Sequence, residues 1–367
     1  MMDIHEYNVI GLMSGTSLDG LDIAHCSFKY HDNKWSFKIL EAETIFYSET
    51  WVNRLKNLSL QTAFEFVKTN IEYGHLLGSL TKNFIEKYKL QIDLIASHGH
   101  TIFHQPQLKI TSQIGDGAAI ASHCNIPIVC NFRTLDVALG GQGAPLVPIG
   151  DQLLFSEYTA CLNLGGIANV SFEDLSPSPS PKERGRVAFD ICPVNIVANE
   201  LAQTIGKKYD DAGKIGASGK INTELLNQLN AIDFYFLPFP KSLGREWIDE
   251  KVFPIINSFN ISIEDKLCTF YEHIAIQISN VLNRSSTFNV QRSMLFTGGG
   301  AYNSYLIERI KKLSQQQIAI PEKKIIEFKE ALIFAFLGVL RIRGEINCLS
   351  SVTGAQRDSV GGAIYKG

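Results

Sequence analysis

Apolar and polar positions alternate or recur in blocks along the chain. Residues 8–13 (NVIGLM) are a short apolar run, and residues 21–28 (LDIAHCSF) and 34–43 (KWSFKILEAE) alternate. Together they predict a three-stranded meander. From about 54 to 89 the apolar residues Leu55, Leu58, Phe64, Phe66, Val67, Ile71, Leu76, Leu77, Leu80 and Phe84 fall at helical spacing, so one long helix is expected there. A strand follows at 92–97 (IDLIAS), then a helix at 116–124 and a strand at 126–131.

The same order returns further on. Residues 160–175 (ACLNLGGIANVSFEDL) read as strand, Gly-rich turn and strand, like residues 11–28. Residues 293–313 (SMLFTGGGAYNSYLIERIKKL) read as strand, Gly-rich turn and amphipathic helix, in the place that IDLIASHGH holds in the first half. The pattern predicts a duplicated α/β unit whose Gly-rich turns hold a phosphate chain between the halves. The Ser/Pro segment at 175–185 (LSPSPSPKERG) reads as a solvated hairpin loop without chemistry.

Length and charge narrow the class. With 367 residues and roughly 150 per domain, the chain holds two domains or one large one. The 34 Lys+Arg against 37 Asp+Glu, net charge -3, leave no basic face for nucleic acid. The seven cysteines (Cys26, Cys124, Cys130, Cys161, Cys192, Cys268, Cys348) have no C-x-x-C spacing and read as reduced core residues of a cytosolic protein. No leader pattern and no long uncharged apolar stretch is present, so a cytoplasmic location without membrane partners is expected.

Three Gly-rich turns carry candidate chemistry. In GLMSGTSLDGLD (11–22), Gly15 and Gly20 let the backbone approach an anion while Thr16 and Ser17 add hydroxyls. On its own this turn reads equally as an ordinary hairpin. NLGGIAN (163–169), with Gly165 and Gly166, and TGGGAYN (297–303), with Gly298, Gly299 and Gly300, repeat the feature at corresponding places. Neither a Walker P-loop nor a dinucleotide fingerprint occurs.

This arrangement resembles the sugar-kinase, heat-shock and actin superfamily, which implies two RNase H-like (actin-like ATPase) domains around a central nucleotide cleft. The boundary is expected near 132/133, giving 1–132 and 133–367, with a C-terminal segment that returns to the first domain. More narrowly, ten ordered blocks resemble the signatures of the anhydro-N-acetylmuramic acid kinase family: GLMSGTSLDGLD, SHGHTIFHQP (97–106), QIGDGAAIA (113–121), NFRTLDVALGGQGAPLVP (131–148), LNLGGIANVSF (162–172), YDDAGKIGASGKI (209–221), PKSLGRE (240–246), FTGGGAYN (296–303), KEALIFAFL (329–337) and SVTGA (351–355).

The resemblance implies ATP-dependent opening of 1,6-anhydro-N-acetylmuramic acid to N-acetylmuramic acid 6-phosphate in peptidoglycan recycling, with ATP and Mg2+ as cofactors and a homodimer as the assembly. It assigns ATP to Gly15, Thr16, Ser17, Leu18, Asp19, Gly20, Leu21 and Asp22, with Gly165, Gly166, Gly298, Gly299 and Gly300. The family block FDTGPGN, matched by FDICPVN (189–195), makes Asp190 the base for the attacking water. Read without the family, a lone Asp before a helical pattern is a helix cap. Ile191, Cys192 and Val194 depart from the family block, so sugar contacts from this loop are not carried over. His98, Asn195 and Glu330 match positions near the sugar. His100 and His104 have HxxxH spacing but fall in strand and turn, which disfavours a metal site. Where sugar kinases of the superfamily place a magnesium-proximal Asp, this chain has Met13 and Asn163, so no protein ligand for the ion is assigned. Two other readings compete: a kinase for a different amino sugar, and an actin-like assembly protein. The polar blocks at 97–148 argue against assembly.

Overall fold

The computed structural model describes residues 5–15, 18–173, 185–239, 241–284, 293–314 and 316–367. Thr16, Ser17 and most of the Ser/Pro segment (175–184) lie outside the described residues. The chain divides into two units, Met1–Leu154 with Phe328–Gly367, and Phe155–Glu327. This division falls later than the expected 132/133, because the helix Val147–Leu154 and the segments before it pack with the first sheet, and the C-terminal segment does return to it.

The sheet of the first unit contains β1 (His5–Met13), β2 (Gly20–His31), β3 (Lys34–Phe46), β4 (Leu94–Ser97), β7 (Ile128–Cys130) and β13 (Ala363–Tyr365), in the order β13-β7-β4-β1-β2-β3. β1–β2–β3 is the antiparallel meander, while β4 and β7 run parallel to β1. A separate two-stranded ribbon pairs β5 (His100–Gln105) with β6 (Ile110–Ile114). Alternation on β1 sends Ile10 and Leu12 into a core with Tyr73, Leu77 and Phe84 of the helix Ala63–Tyr88. On the opposite face Gly11 meets the helix Lys323–Arg343 so closely that a Cβ would lie 1.9 Å from the Ala331 carbonyl oxygen.

The expected single helix over 54–89 is two, Glu49–Asn57 and Ala63–Tyr88. Apolar periodicity runs through the break, but the Thr62 hydroxyl accepts from the Glu65 amide and starts a new helix.

The second unit has β8 (Ala160–Leu164), β9 (Ile167–Glu173), β10 (Arg186–Pro193), β11 (Met294–Thr297) and β12 (Ile318–Ala319), ordered β10-β9-β8-β11-β12. β8–β9–β10 is antiparallel, and β11 and β12 add in parallel. This is the order β3-β2-β1-β4-β7 repeated, so the duplication inferred from sequence is present in the topology. Phe172, Phe189, Phe270, Ile274, Phe296 and Leu306 lie in the second core. None of the seven cysteines is in a disulfide, and six of them are buried.

Candidate functional site

Asp190 lies inside β10, opposite Asn169, where the ladder shifts register between Asp190 and Cys192. It does not cap the following helix, Asn195–Gln203, whose cap position is Val194. Its Oδ2 accepts the Leu243 amide at 2.8 Å and the Ser242 hydroxyl at 2.9 Å. Among the described residues Oδ1 has no hydrogen-bond donor. Burial raises the carboxyl above its ordinary value, and the two hydrogen bonds oppose that rise. The result is a half-buried carboxylate anchored by one oxygen and presenting the other.

The departures from the family block are packing residues: Ile191 is 2 %, Cys192 0 % and Val194 1 % exposed. They lie in the core of the second unit.

Asn195 ties this strand to the Gly-rich turn. Its amide nitrogen donates to the Leu164 carbonyl at 3.0 Å, and the Val194 and Asn195 backbone amides donate to the carbonyls of Gly166 and Gly165. The glycines differ in what demands them. A Cβ on Gly166 would lie 2.9 Å from Ile196, one on Gly300 2.8 Å from Leu164, and Gly298 has a φ of +80°. Packing or backbone conformation therefore accounts for these three. Gly165 and Gly299 have room for a Cβ, with nearest atoms at 3.4 and 3.5 Å, so their bare backbone is open to a ligand.

In the first unit Gly15 accepts the Leu18 amide at 3.3 Å, Leu18 has a φ of 59°, and Asp19 is exposed. Gly20 and Leu21 serve the fold: a Cβ on Gly20 would lie 2.4 Å from the Ile45 carbonyl, and Leu21 is 1 % exposed in the core. Asp22 accepts the Thr44 hydroxyl at 2.5 Å. Beside the turn the Tyr47 hydroxyl bonds Ser14 at 2.8 Å and lies 2.6 Å from the Tyr73 hydroxyl, while Ser14 Oγ is 3.0 Å from His100 Nδ1. Burial pushes His100 down to about 4.

Glu330, on the helix Lys323–Arg343, is open to solvent at its surface yet crowded by protein. That crowding raises its carboxyl, Arg133 opposes the rise, and the Asp22 charge adds to it. The preceding residue, Lys329, forms a buried ion pair with Asp151 at 2.7 Å.

His98 is buried with both ring nitrogens engaged, Nδ1 at 2.9 Å from the Gly99 carbonyl and Nε2 at 3.1 and 2.9 Å from Arg133 Nε and Nη2. Burial first and the Arg133 charge second hold it well below the usual histidine range. His98, which the resemblance places near the sugar, therefore has its ring nitrogens on Arg133 and the Gly99 carbonyl. His104 bonds Thr111, and no cluster of three or more metal-ligating side chains occurs among the described residues. Arg133, Ser242, Tyr47 and Lys329 were not singled out by sequence. Arg133, Ser242 and Lys329 lie inside signature blocks, and Tyr47 follows β3 without any motif.

Two α/β units of one strand order, each opening on a hairpin with a Gly-rich turn, define an actin-like ATPase fold, and the second carries Asp190 at a register shift within β10. A family model described as anhydro-N-acetylmuramic acid kinase matches residues 7–367. An anhydro-N-acetylmuramic acid kinase of Coxiella burnetii (strain Dugway 5J108-111) is 34 % identical over 382 residues, covering 98 % of this chain and 97 % of that protein. One of Caldanaerobacter subterraneus subsp. tengcongensis is 33 % identical over 395 residues, with 98 % and 97 % covered. The ADPNP-bound activator of the 2-hydroxyisocaproyl-CoA dehydratase from Clostridium difficile is a distant structural neighbour, 14 % identical, TM-score 0.43, with 93 % and 96 % covered. The chain belongs to the anhydro-N-acetylmuramic acid kinase family.

Proposed function

We propose that the protein uses ATP to convert 1,6-anhydro-N-acetylmuramic acid into N-acetylmuramic acid 6-phosphate, with Asp190 as the base. Water loses a proton to Asp190 Oδ1 as its oxygen bonds to the anomeric carbon. The bond from that carbon to the bridging 6-oxygen breaks, and the freed 6-oxygen bonds to the γ-phosphorus as ADP departs. Phosphorus takes the place of a proton on the leaving oxygen, so no separate general acid is required.

The observation that carries this reading is the asymmetric hold on Asp190, one oxygen bonded by Ser242 and Leu243 and the other without a donor among the described residues. Burial raises the basicity of the group. The bare backbone of Gly165 and Gly299 supports phosphate approach there, and the antiparallel pair β1–β2 supplies a second hairpin. Among the described residues no group of three or more His, Cys, Asp or Glu side chains could hold a metal ion. We assign the ion to the ATP phosphates and water, in keeping with its reluctance to dehydrate, and no step is derived through it. Glu330 is assigned to the sugar side. No helix among the described residues is long and apolar enough to cross a membrane. A cytoplasmic homodimer acting on a free amino sugar, without nucleic acid, completes the proposal.

The test is ADP release with a panel of sugars. Turnover should require the 1,6-anhydro muramic sugar. Equal turnover of N-acetylmuramic acid or N-acetylglucosamine would instead point to a kinase for an ordinary amino sugar.

A further inference from the structure

Arg133 is a cation with incomplete partners. A guanidinium carries five N–H groups and no acceptor. Three of them are used: Nε and Nη2 donate to His98 Nε2 at 3.1 and 2.9 Å, and Nη1 donates to the Gly143 carbonyl at 2.6 Å. Because arginine only donates, His98 Nε2 must accept, and its Nδ1–H then donates to the Gly99 carbonyl. The tautomer is fixed by this chemistry. A protonated His98 would set donor against donor and charge against charge.

The receiving loop is itself fixed, since the Gly143 amide donates to Asp136 Oδ2 at 2.7 Å and Asp136 Oδ1 takes the Thr353 hydroxyl and the Cys348 thiol. Glu330 and Asp136 both act on Arg133 through charge, yet among the described residues no carboxylate forms an ion pair with it. Among the described residues, one N–H on each terminal nitrogen has no acceptor. A guanidinium is a planar donor whose geometry matches a pair of anionic oxygens. A part-buried cation is costly unless paired, so a guanidinium held by His98 and the Gly143 carbonyl, with no carboxylate ion pair among the described residues, points to an anion that comes with a ligand.

We propose that Arg133 is an oxyanion-binding residue of the active site, and that His98 is the positioning residue that orients its fork. This rests on the kinase reading, which supplies two oxyanions: the lactyl carboxylate of the muramic sugar and the phosphoryl oxygens of ATP. His98 then acts on substrate only through Arg133.

The experiment is calorimetric titration of the whole protein, without turnover, using four probes: 1,6-anhydro-N-acetylmuramic acid, its methyl ester, ADP and a non-hydrolysable ATP analogue. In the unaltered protein the acid should bind on the order of a hundredfold tighter than the ester if the carboxylate is the anion. A corresponding advantage of the ATP analogue over ADP assigns the phosphoryl oxygens instead. In Arg133→Gln the discriminating pair should become equal, and Arg133→Lys, which keeps the charge without the fork, should recover only part of it. His98→Leu should reproduce Arg133→Gln. His98→Gln, whose amide oxygen accepts from Arg133, should restore discrimination. Equal affinities within both pairs in the unaltered protein, or discrimination that survives Arg133→Gln, overturn the assignment of Arg133. Full discrimination in His98→Leu overturns the positioning role. The kinase reading itself fails separately, by absence of ADP release with the anhydro sugar.

Discussion

Asp190 sets the first expectations. Asp190→Asn keeps the shape and removes the base, so turnover should fall by roughly a hundredfold or more while nucleotide still binds, checked by ADP release beside a binding titration. A near-normal rate would leave the residue a structural strand carboxylate. Only the ionised carboxylate takes a proton from water, and burial raises its pKa. The acid limb of kcat/KM should therefore lie above the range of a free aspartate, with activity lost as pH falls through it. The Ser242 hydrogen bond lowers that pKa, so Ser242→Ala should move the limb to higher pH. A limb that stays or moves down would remove Asp190 from its role. From sequence, Asp190 was visible only through family resemblance. Its hold by Ser242 and Leu243 was not visible, because those partners lie in a different block. Nor was the burial of Ile191, Cys192 and Val194, since each packs against residues from other elements of the second core.

At the scale of elements, the Gly-rich turns divide by what surrounds each glycine. Gly299→Ala should leave the unfolding temperature close to the parent value and weaken ATP binding, because the Cβ site is clear of protein. Gly166→Ala should lower the unfolding temperature, since its Cβ meets Ile196 at 2.9 Å. The reverse pattern, by thermal melting and nucleotide titration, would make Gly299 structural. On the helix Lys323–Arg343, Lys329→Met removes the cation of the buried pair with Asp151. Denaturant unfolding should show a loss of about 3 kcal/mol. Strands, Gly-rich turns and the amphipathic helices were legible because their periods are local. The break after Leu58 was not, since a helix start at Thr62 depends on one capping bond inside an unbroken apolar period.

Over the whole molecule, the duplication was legible from two hairpin-and-turn patterns, and the five strands of the second sheet repeat the order of all but β13 in the first. The pairing of His98 with Arg133 was not, since it joins residues far apart in sequence through the parallel strands β4 and β7. The protein also buries several neutral histidines: His98 is held well below 6.5, His100 at about 4 and His273 at about 3, each chiefly by burial. The unfolded chain takes up these protons near pH 6.5 while the folded one does not, so stability is complete above that pH and lost as pH falls below it. Each fully protected histidine contributes about 2 kcal/mol of that loss by pH 5. The unfolding temperature should drop between pH 7 and pH 5, and His100→Gln should shrink the drop.

The central claim, that ring opening by water and phosphoryl transfer are one reaction, is tested most directly by turnover in oxygen-18 water. An anhydro sugar has no free 6-hydroxyl, so the bridging oxygen must become the phosphate ester oxygen and solvent must supply the new anomeric hydroxyl. Product trapped promptly, before the open-chain form exchanges its oxygen, should carry the label at the anomeric carbon, in the inverted anomer, with none in the phosphate. Label in the phosphate, or labelled inorganic phosphate without sugar phosphate, would mean that water attacks ATP and would contradict the account.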